Sequence, residues 1–340
     1  MGNSVTVAKR YLIVGPSWVG DMVMAQALFT TLRVRDPAVA IDVLAPQWSL
    51  PIIARMPEVH RGVGLPTEHG DFAFAVRRQL GKQLRSKNYT HAIVLPRSFK
   101  SALVPFFAEI PVRTGFRGEM RFGLLNDIRR LDRSILDQTV RRFVALGLKP
   151  GEVPGNIPEP RLTIDESNQQ RLIQQHKLDV SGPVVAFMPG ASYGPAKCWP
   201  LEYYAMLAEQ LTAQGIAVWV LGSAGDRAAG EQIVGSNSGC NLAGETRLED
   251  TVDLLALCRV AVTNDSGLMH VAAASGTHVI AQYGSSSPGY TPALTQHKTI
   301  HYLGLDCSPC FKRECPLGHL NCLRDIPVER VRASVEQVLA

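Results

Sequence analysis

Short apolar runs, each cut off by glycine, proline or small polar residues, recur along the chain: Tyr11–Val14, Ala40–Ala45, His91–Leu95, Pro183–Met188, Ile216–Leu221, Val260–Val262 and His278–Tyr283. Runs this short and this rich in β-branched residues read as buried strands, because a helix with one covered face needs a longer periodic stretch. Longer stretches of helical composition separate them: Met22–Arg33, the short Ile52–Met56, the basic amphipathic Phe72–Lys87, Leu131–Leu146, Leu201–Gln214, Leu248–Leu257 and Leu268–Ala274. Residues 57–71 read as loop, and 327–340 as a terminal helix. Alternating strands and helices predict an α/β protein with doubly wound parallel sheets. The Pro- and Gly-rich residues 147–160 interrupt the alternation and read as a linker. Two Rossmann-like domains are therefore expected, 1–160 and 161–326, and 340 residues suffice for both.

The candidate chemistry lies in loops that follow the predicted strands, where open α/β sheets bind nucleotides. Pro189-Gly-Ala-Ser-Tyr-Gly-Pro-Ala-Lys197 is built of small residues and ends in a lysine. Small residues let backbone N–H groups approach a phosphate, and the ammonium adds charge. Thr263-Asn-Asp-Ser-Gly267 breaks a strand and opens a helix, with Asp265 or Ser266 suited to cap it. A helix start of this kind presents free N–H groups to an anion. Gly222–Asp226 and Gly284–Pro288 are further loops of the same kind. The first βα unit has glycines at Gly15 and Gly20 but no Gly-x-Gly-x-x-Gly and no Gly-Lys-Ser/Thr, so neither a dinucleotide oxidoreductase nor a P-loop kinase is supported. Asp21, at that junction, has the residue type of a helix cap and of a general base alike.

Charge divides the chain. Residues 1–161 carry 23 Lys and Arg against 13 Asp and Glu, whereas residues 162–340 carry 12 against 17. The basic half suits an anionic partner. Within it, Arg97, Lys100, Arg113, Arg117 and Arg121 are interleaved with Phe, Gly and Ser, as in an anion-binding surface or a solvated face. The N-terminus has no signal-peptide core, and no apolar run is long enough to span a bilayer, so a cytoplasmic protein is expected.

All seven cysteines follow residue 197. Cys307, Cys310, Cys315 and Cys322 fall within 16 residues, with His319 among them. In a reducing compartment such a cluster suits a structural zinc, free thiols or redox chemistry. The spacing matches none of the familiar paired zinc patterns.

Five motifs together resemble the lipopolysaccharide heptosyltransferases of glycosyltransferase family 9: Gly15-Pro-Ser-Trp-Val-Gly-Asp-Met-Val-Met, Leu95-Pro-Arg-Ser-Phe-Lys-Ser-Ala, Pro189-Gly-Ala-x-x-Gly-Pro-Ala-Lys-x-Trp-Pro, Asn241-Leu-Ala-Gly-Glu-Thr and Thr263-Asn-Asp-Ser-Gly-Leu-Met-His. The resemblance spans nearly the whole chain. It implies a GT-B fold, with two Rossmann-like domains facing across a cleft, acceptor on the first and nucleotide sugar on the second. In such folds the terminal helix commonly returns to the first domain.

The implied reaction moves L-glycero-D-manno-heptose from ADP-heptose to the first heptose of the inner core on heptosyl-Kdo2-lipid A. Alternatives are another sugar or core position, or a nucleotide-sugar-binding protein without catalysis. The resemblance makes Asp21 the base. It places Ser192, Lys197, Asp226, Thr246, Asp265, Ser266, Gly267 and His270 around the donor, with Asp226 toward the ribose. We assign Arg97, Lys100, Arg113, Arg117 and Arg121 to the acceptor's phosphates and carboxylates. No Asp-x-Asp occurs, as in GT-B enzymes that transfer without a divalent metal. No cofactor is therefore expected for catalysis, a structural zinc on the four cysteines is possible, and nucleic acid is not expected as a partner. Peripheral contact with the cytoplasmic face of the inner membrane is expected.

Overall fold

A computed structural model describes residues 9–67, 70–235 and 239–340. The first eight residues, read above for targeting signals, lie outside that description. The chain divides into two compact units between Pro158 and Glu159.

In the first unit, β1 (Arg10–Val14) leads into α1 (Val19–Arg35), then β2 (Ala40–Pro46), α2 (Leu50–Ile53), β3 (Arg61–Leu65), α3 (Phe74–Leu84), β4 (His91–Val94), α4 (Leu103–Phe107), β5 (Val112–Phe116), β6 (Asp127–Arg129) and α5 (Thr139–Gly147). The sheet order is β3-β2-β1-β4-β5-β6, parallel throughout. Leu12, Val14, Leu44, Ala92 and Val94 lie in one core cluster with Val104 and Ile110. α1 is buried over its whole circumference from Met22 to Phe29, which explains its run of Met, Ala and Leu.

The second unit starts with α6 (Glu166–His176), capped by Asp165, whose carboxylate accepts from Asn168 N–H. It continues β7 (Val184–Met188), α7 (Leu201–Thr212), β8 (Ala217–Val220), α8 (Arg227–Val234), β9 (Cys240–Asn241), α9 (Leu248–Leu255), β10 (Val260–Asn264), α10 (Gly267–Ala274), β11 (His278–Tyr283), β12 (Lys298–Tyr302), α11 (Asn321–Arg324) and α12 (Val328–Leu339). Its sheet order is β12-β11-β10-β7-β8-β9, again parallel. β7 and β10 are buried at every residue, as strands covered on both faces must be. Each unit thus has the strand order of a doubly wound nucleotide-binding sheet, with its two central strands at the switch point.

Several elements differ from the sequence expectation. β3, expected as loop, has the sequence Arg-Gly-Val-Gly-Leu. Its glycines weaken the strand signal, yet they pack closely, with a Cβ on Gly62 standing 3.0 Å from Leu50 Cδ2 and one on Gly64 meeting the Gln47 side chain. β5 and β12 were also unexpected. The helix expected from Leu131 starts only at Thr139, because Asp132 turns the chain by accepting from the N–H and hydroxyl of Ser134.

The terminal helix was expected to return to the first domain. Instead Val328, Val331 and Val335 of α12 join the second unit's core with Tyr204, Leu207 and Ile280. Among the described residues no helix is long and apolar enough to cross a membrane.

α12 also covers His301 of β12, which is 3% exposed and shares a 3.2 Å hydrogen bond through Nε2 with Ser334 Oγ. Burial, then the charge of Arg330, pushes its pKa down to about 4. The unfolded chain therefore binds this proton before the folded one does, and stability is lost as pH falls from about 6.5 toward 4. His301→Phe removes that loss. In urea titrations the variant should gain on wild type by up to ~3 kcal/mol across the window, and a difference independent of pH would refute the assignment.

Candidate functional site

In the second unit the chain leaves β7 and β10 toward opposite sides, to β8 and to β11. The loops at their carboxyl ends meet, and one buried side chain ties them together. Asn264, the last residue of β10, is fully buried. Its Nδ2 donates to Pro189 O at 2.6 Å, and its Oδ1 accepts from Trp199 N–H at 2.8 Å. Both ends of the 189–199 loop are thereby fixed to β10.

Lys197 closes the loop. Its Nζ stands 2.5 Å from Asp265 Oδ2, with the lysine 17% and the aspartate 4% exposed. Thr291 Oγ1 donates to the same carboxylate, 3.3 Å from Oδ1. Asp265 is thus neutralised in place and keeps the ammonium over the start of α10. Ser266 is the N-cap of that helix, but its hydroxyl makes no cap bond. Ser266 Oγ, Ser285 Oγ and Ser286 Oγ are all buried with no hydrogen-bond partner among the described residues. Buried hydroxyls are rarely left unsatisfied, and three of them around adjoining loops give this region unused hydrogen-bonding capacity.

His270, in the first turns of α10, is 4% exposed. Burial pushes its pKa down to about 4, with Asp265 pulling the other way and the charge of Lys197 adding to the lowering. The ring is therefore neutral at pH 7 and can hydrogen-bond an anion or a hydroxyl without carrying charge. Gly267 is the first residue of α10, where N–H groups lack intrahelical acceptors.

Asp226 holds the β8 loop. Its Oδ2 accepts from the N–H of Ser223 at 2.8 Å and from its hydroxyl at 2.7 Å. Its Oδ1 lies so close to Gly190 that a Cβ there would collide with it. Asp226 is thus a capping residue pressed against the β7 loop. Thr246 follows the turn in which Gly244 N–H donates to Gly222 O (3.1 Å), next to that same loop. Ser192 is exposed between Ala191 and Tyr193.

Two participants escaped the sequence reading. Tyr193 lies under two cations, with Lys197 Nζ 5.2 Å and Arg313 Cζ 5.4 Å from its ring centroid. Arg313 is held there by its backbone: its carbonyl accepts from Ala196 N–H at 3.0 Å, and a Cβ on Gly194 would meet that carbonyl oxygen at 2.5 Å. The only sequence signal was the basic residue inside the cysteine cluster.

In the first unit, Asp21 is the third residue of α1, and Trp18, not Asp21, is the N-cap. A carboxylate in a first turn interacts favourably with the helix dipole. β1 and β4 form the switch point here, so Asp21 and Arg97 both follow central strands. Arg97 and Arg117 are exposed, and Lys100 is half-buried with Nζ donating to Gly70 O at 2.6 Å.

Arg113 and Arg121 differ from expectation, because both guanidinium groups are spent on backbone carbonyls. Arg113 reaches Leu124 O and Ile110 O, each at 2.6 Å. Arg121, 2% exposed, reaches Phe116 O at 2.6 Å, Pro96 O at 2.7 Å and Ser101 Oγ at 3.2 Å. Burial, then the charge of Arg97, pushes its pKa down to about 10, so it is still charged at neutral pH. It pins the loops that carry Arg97 and Arg117 and is not an acceptor ligand.

Residues 77–321 match the model of "Glycosyltransferase family 9 (heptosyltransferase)". The chain is 44% identical over 342 residues to lipopolysaccharide heptosyltransferase 2 of Escherichia coli K12, covering 97% of this chain and 98% of that one. The chain belongs to glycosyltransferase family 9. It is 46% identical over 303 residues to lipooligosaccharide heptosyltransferase 2 of Haemophilus influenzae, covering 85% and 87% of the two chains. The solved structure of E. coli ADP-heptose lipopolysaccharide heptosyltransferase II superposes with a TM-score of 0.87 at 43% identity, covering 97% of this chain and 98% of that one.

This family 9 chain is therefore a glycosyltransferase of GT-B architecture, built of two Rossmann-like units. Its cysteine cluster backs the loops after β7 and β11: Cys307, Cys310, Cys315, Cys322 and His319 line a pocket with Ala196 and Ser285. Phe311 N–H donates to Ser285 O at 2.7 Å and Ser308 Oγ to Gly284 O at 2.6 Å. Amide N–H groups, first that of Leu320, hold the Cys315 thiol below its usual pKa, while burial and the other three thiols push Cys322 up to about 11. Among the described residues, however, no three His, Cys, Asp or Glu side chains stand close enough to hold a metal ion.

The contrast between Arg121 and Arg97 is testable. Arg121→Ala leaves several buried carbonyls unpaired and should cost about 3 kcal/mol in chemical denaturation, whereas Arg97→Ala should stay within ~0.5 kcal/mol of wild type. Equal effects would refute the pin.

Proposed function

We propose that this enzyme transfers L-glycero-D-manno-heptose from ADP-heptose to the first heptose of the inner core on heptosyl-Kdo2-lipid A, inverting the anomeric centre. It does so at the cytoplasmic face of the inner membrane. The observation that carries this reading is the convergence of Lys197, the neutral His270, the start of α10 and three unpartnered serine hydroxyls on one set of loops. Such a set suits a diphosphate, whose negative charge grows as the sugar leaves.

In the first unit, the Asp21 carboxylate takes the proton of the acceptor hydroxyl as that oxygen bonds to C1 of the heptose. The C1–oxygen bond to the diphosphate breaks, and ADP leaves with the electron pair. Lys197, with two of its ammonium donors already directed at Asp265, offers the remaining one to the diphosphate. Arg313 adds a second cation beside the same tyrosine. His270 donates a neutral hydrogen bond, and Asp226 faces the ribose. Arg97, Lys100 and Arg117 meet the acceptor's phosphates and carboxylates. This reading needs no metal, and the four thiols carry no step of it.

Mass analysis of the products from purified protein, ADP-heptose and a one-heptose Kdo2-lipid A acceptor should show one added heptose. Addition at another position, or hydrolysis of the donor alone, would overturn the reading. Asp21→Ala should abolish transfer while leaving ADP-heptose binding intact. Near-normal turnover of that variant sinks the base. Lys197→Ala and Arg313→Gln should each weaken ADP binding in calorimetry, Lys197→Ala by on the order of 10- to 100-fold, as for a lost charged hydrogen bond. Unchanged affinity in either variant removes that residue from the donor site.

A further inference from the structure

The first unit carries a connected group of phenylalanines that its core does not absorb. Phe72 is 52%, Phe74 45% and Phe106 38% exposed. Phe72 stacks on Phe74 at 6.2 Å and on Phe99 at 6.3 Å, while Phe107 meets Phe74 at 5.6 Å and Phe106 at 5.3 Å. The five rings bridge the start of α3 and the end of α4. Those helices are locked together, because a Cβ on Gly81 would stand 2.6 Å from Phe107 Cβ and 2.8 Å from Val104 O. A contiguous exposed apolar patch on a rigid base marks an interaction surface.

The surroundings of the patch are basic. Residues 71–121 hold ten Lys and Arg against three Asp and Glu. On α3, Phe74, Arg78 and Lys82 recur every four residues and are all exposed, so one stripe starts aromatic and continues cationic. Arg113 lies over the Phe106 ring, its Cζ 5.7 Å from the centroid. Lys100, one of the acceptor-side cations, directly follows Phe99. A second copy of this chain would bring the same positive face against itself, which like charges oppose.

From this we infer that the face formed by Phe72, Phe74 and Phe106 with Arg78 and Lys82 docks on the surface of an anionic lipid bilayer. Aromatic side chains settle at the boundary between headgroups and acyl chains, and flanking Lys and Arg are drawn to anionic headgroups. The face is continuous with Lys100, so docking would present the acceptor-side cations to a glycolipid held in the same membrane. The inference names the surface behind the membrane contact proposed above. It rests on that reading for its purpose, but its test uses no substrate.

The test is co-sedimentation with vesicles of phosphatidylglycerol and phosphatidylcholine, and with phosphatidylcholine alone. Wild type should bind the anionic vesicles, lose binding as salt is raised, and bind the neutral vesicles weakly. Phe72→Ser/Phe74→Ser/Phe106→Ser should reduce binding by at least ~10-fold, and Arg78→Gln/Lys82→Gln should flatten its salt dependence. Both variants should keep wild-type melting temperature and wild-type transfer to a deacylated, water-soluble acceptor. Absence of wild-type binding to anionic vesicles overturns the inference. So does undiminished binding by the triple-serine variant, or self-association or protein capture that this variant abolishes while vesicle binding persists. Failure of wild type to transfer heptose to the soluble acceptor counts against the proposed reaction and leaves the vesicle result standing on its own.

Discussion

The second unit depends on one buried amide. Asn264 ends the central strand β10 and hydrogen-bonds the backbone at both ends of the loop that follows β7. The tie fixes both ends of the 189–199 segment, whose middle is held by Ala196 N–H on Arg313 O and by Tyr193 OH on Phe311 O. With it, Lys197 reaches Asp265, and Trp199 is placed to donate its indole N–H to Ile326 O at 3.0 Å. The same anchoring brings in the 307–322 segment, whose backbone bonds Ala196 and Ser285. Loop geometry and the position of the ammonium thus lean on a side chain whose hydrogen bonds go to the backbone at both ends of the loop.

The first unit solves the corresponding problem with a charge. Arg121 is buried among carbonyl oxygens and joins the loops after β4 and β5. A buried guanidinium is costly unless its donors are used, and here most of them meet carbonyl or hydroxyl oxygens. The exposed cations Arg97 and Arg117 are then displayed on loops that do not have to hold themselves. Lys197 differs, since its charge is balanced by Asp265 in advance. Its ammonium is therefore oriented by the protein itself.

Much of this was legible in the sequence. The apolar runs located the central strands because strands covered on both faces must be continuously apolar, as Val184–Met188 and Val260–Asn264 largely are. Edge elements were not legible. Arg61–Leu65 looks like loop by composition and becomes strand only because β2 offers it a partner. α12 was expected on the first unit from the habit of GT-B folds, whereas its valines lie in the second unit's core; an amphipathic helix reveals that it has an apolar face but not what the face meets. The loops after β7 and β10, which the structure brings together through Asn264, were recognisable from residue type and spacing. The division of the basic residues into displayed and structural ones was not, since Arg97 and Arg121 have the same side chain and differ only in whether carbonyls surround it. Arg313 was hidden for a similar reason. Its place beside Tyr193 is set by a backbone contact over more than a hundred residues of sequence.

Both pins act mainly on main-chain atoms. Carbonyl oxygens and amide hydrogens are present whatever side chains a loop carries. The loop residues between the anchors can therefore be exchanged without changing the path of the backbone. Substrate preference and scaffold integrity become separable properties of this architecture. Residues displayed between the anchors, such as Ser192, Tyr193 and Arg117, can be exchanged while Asn264 and Arg121 stay fixed, which gives a protein engineer a defined set of positions to vary without disturbing the scaffold.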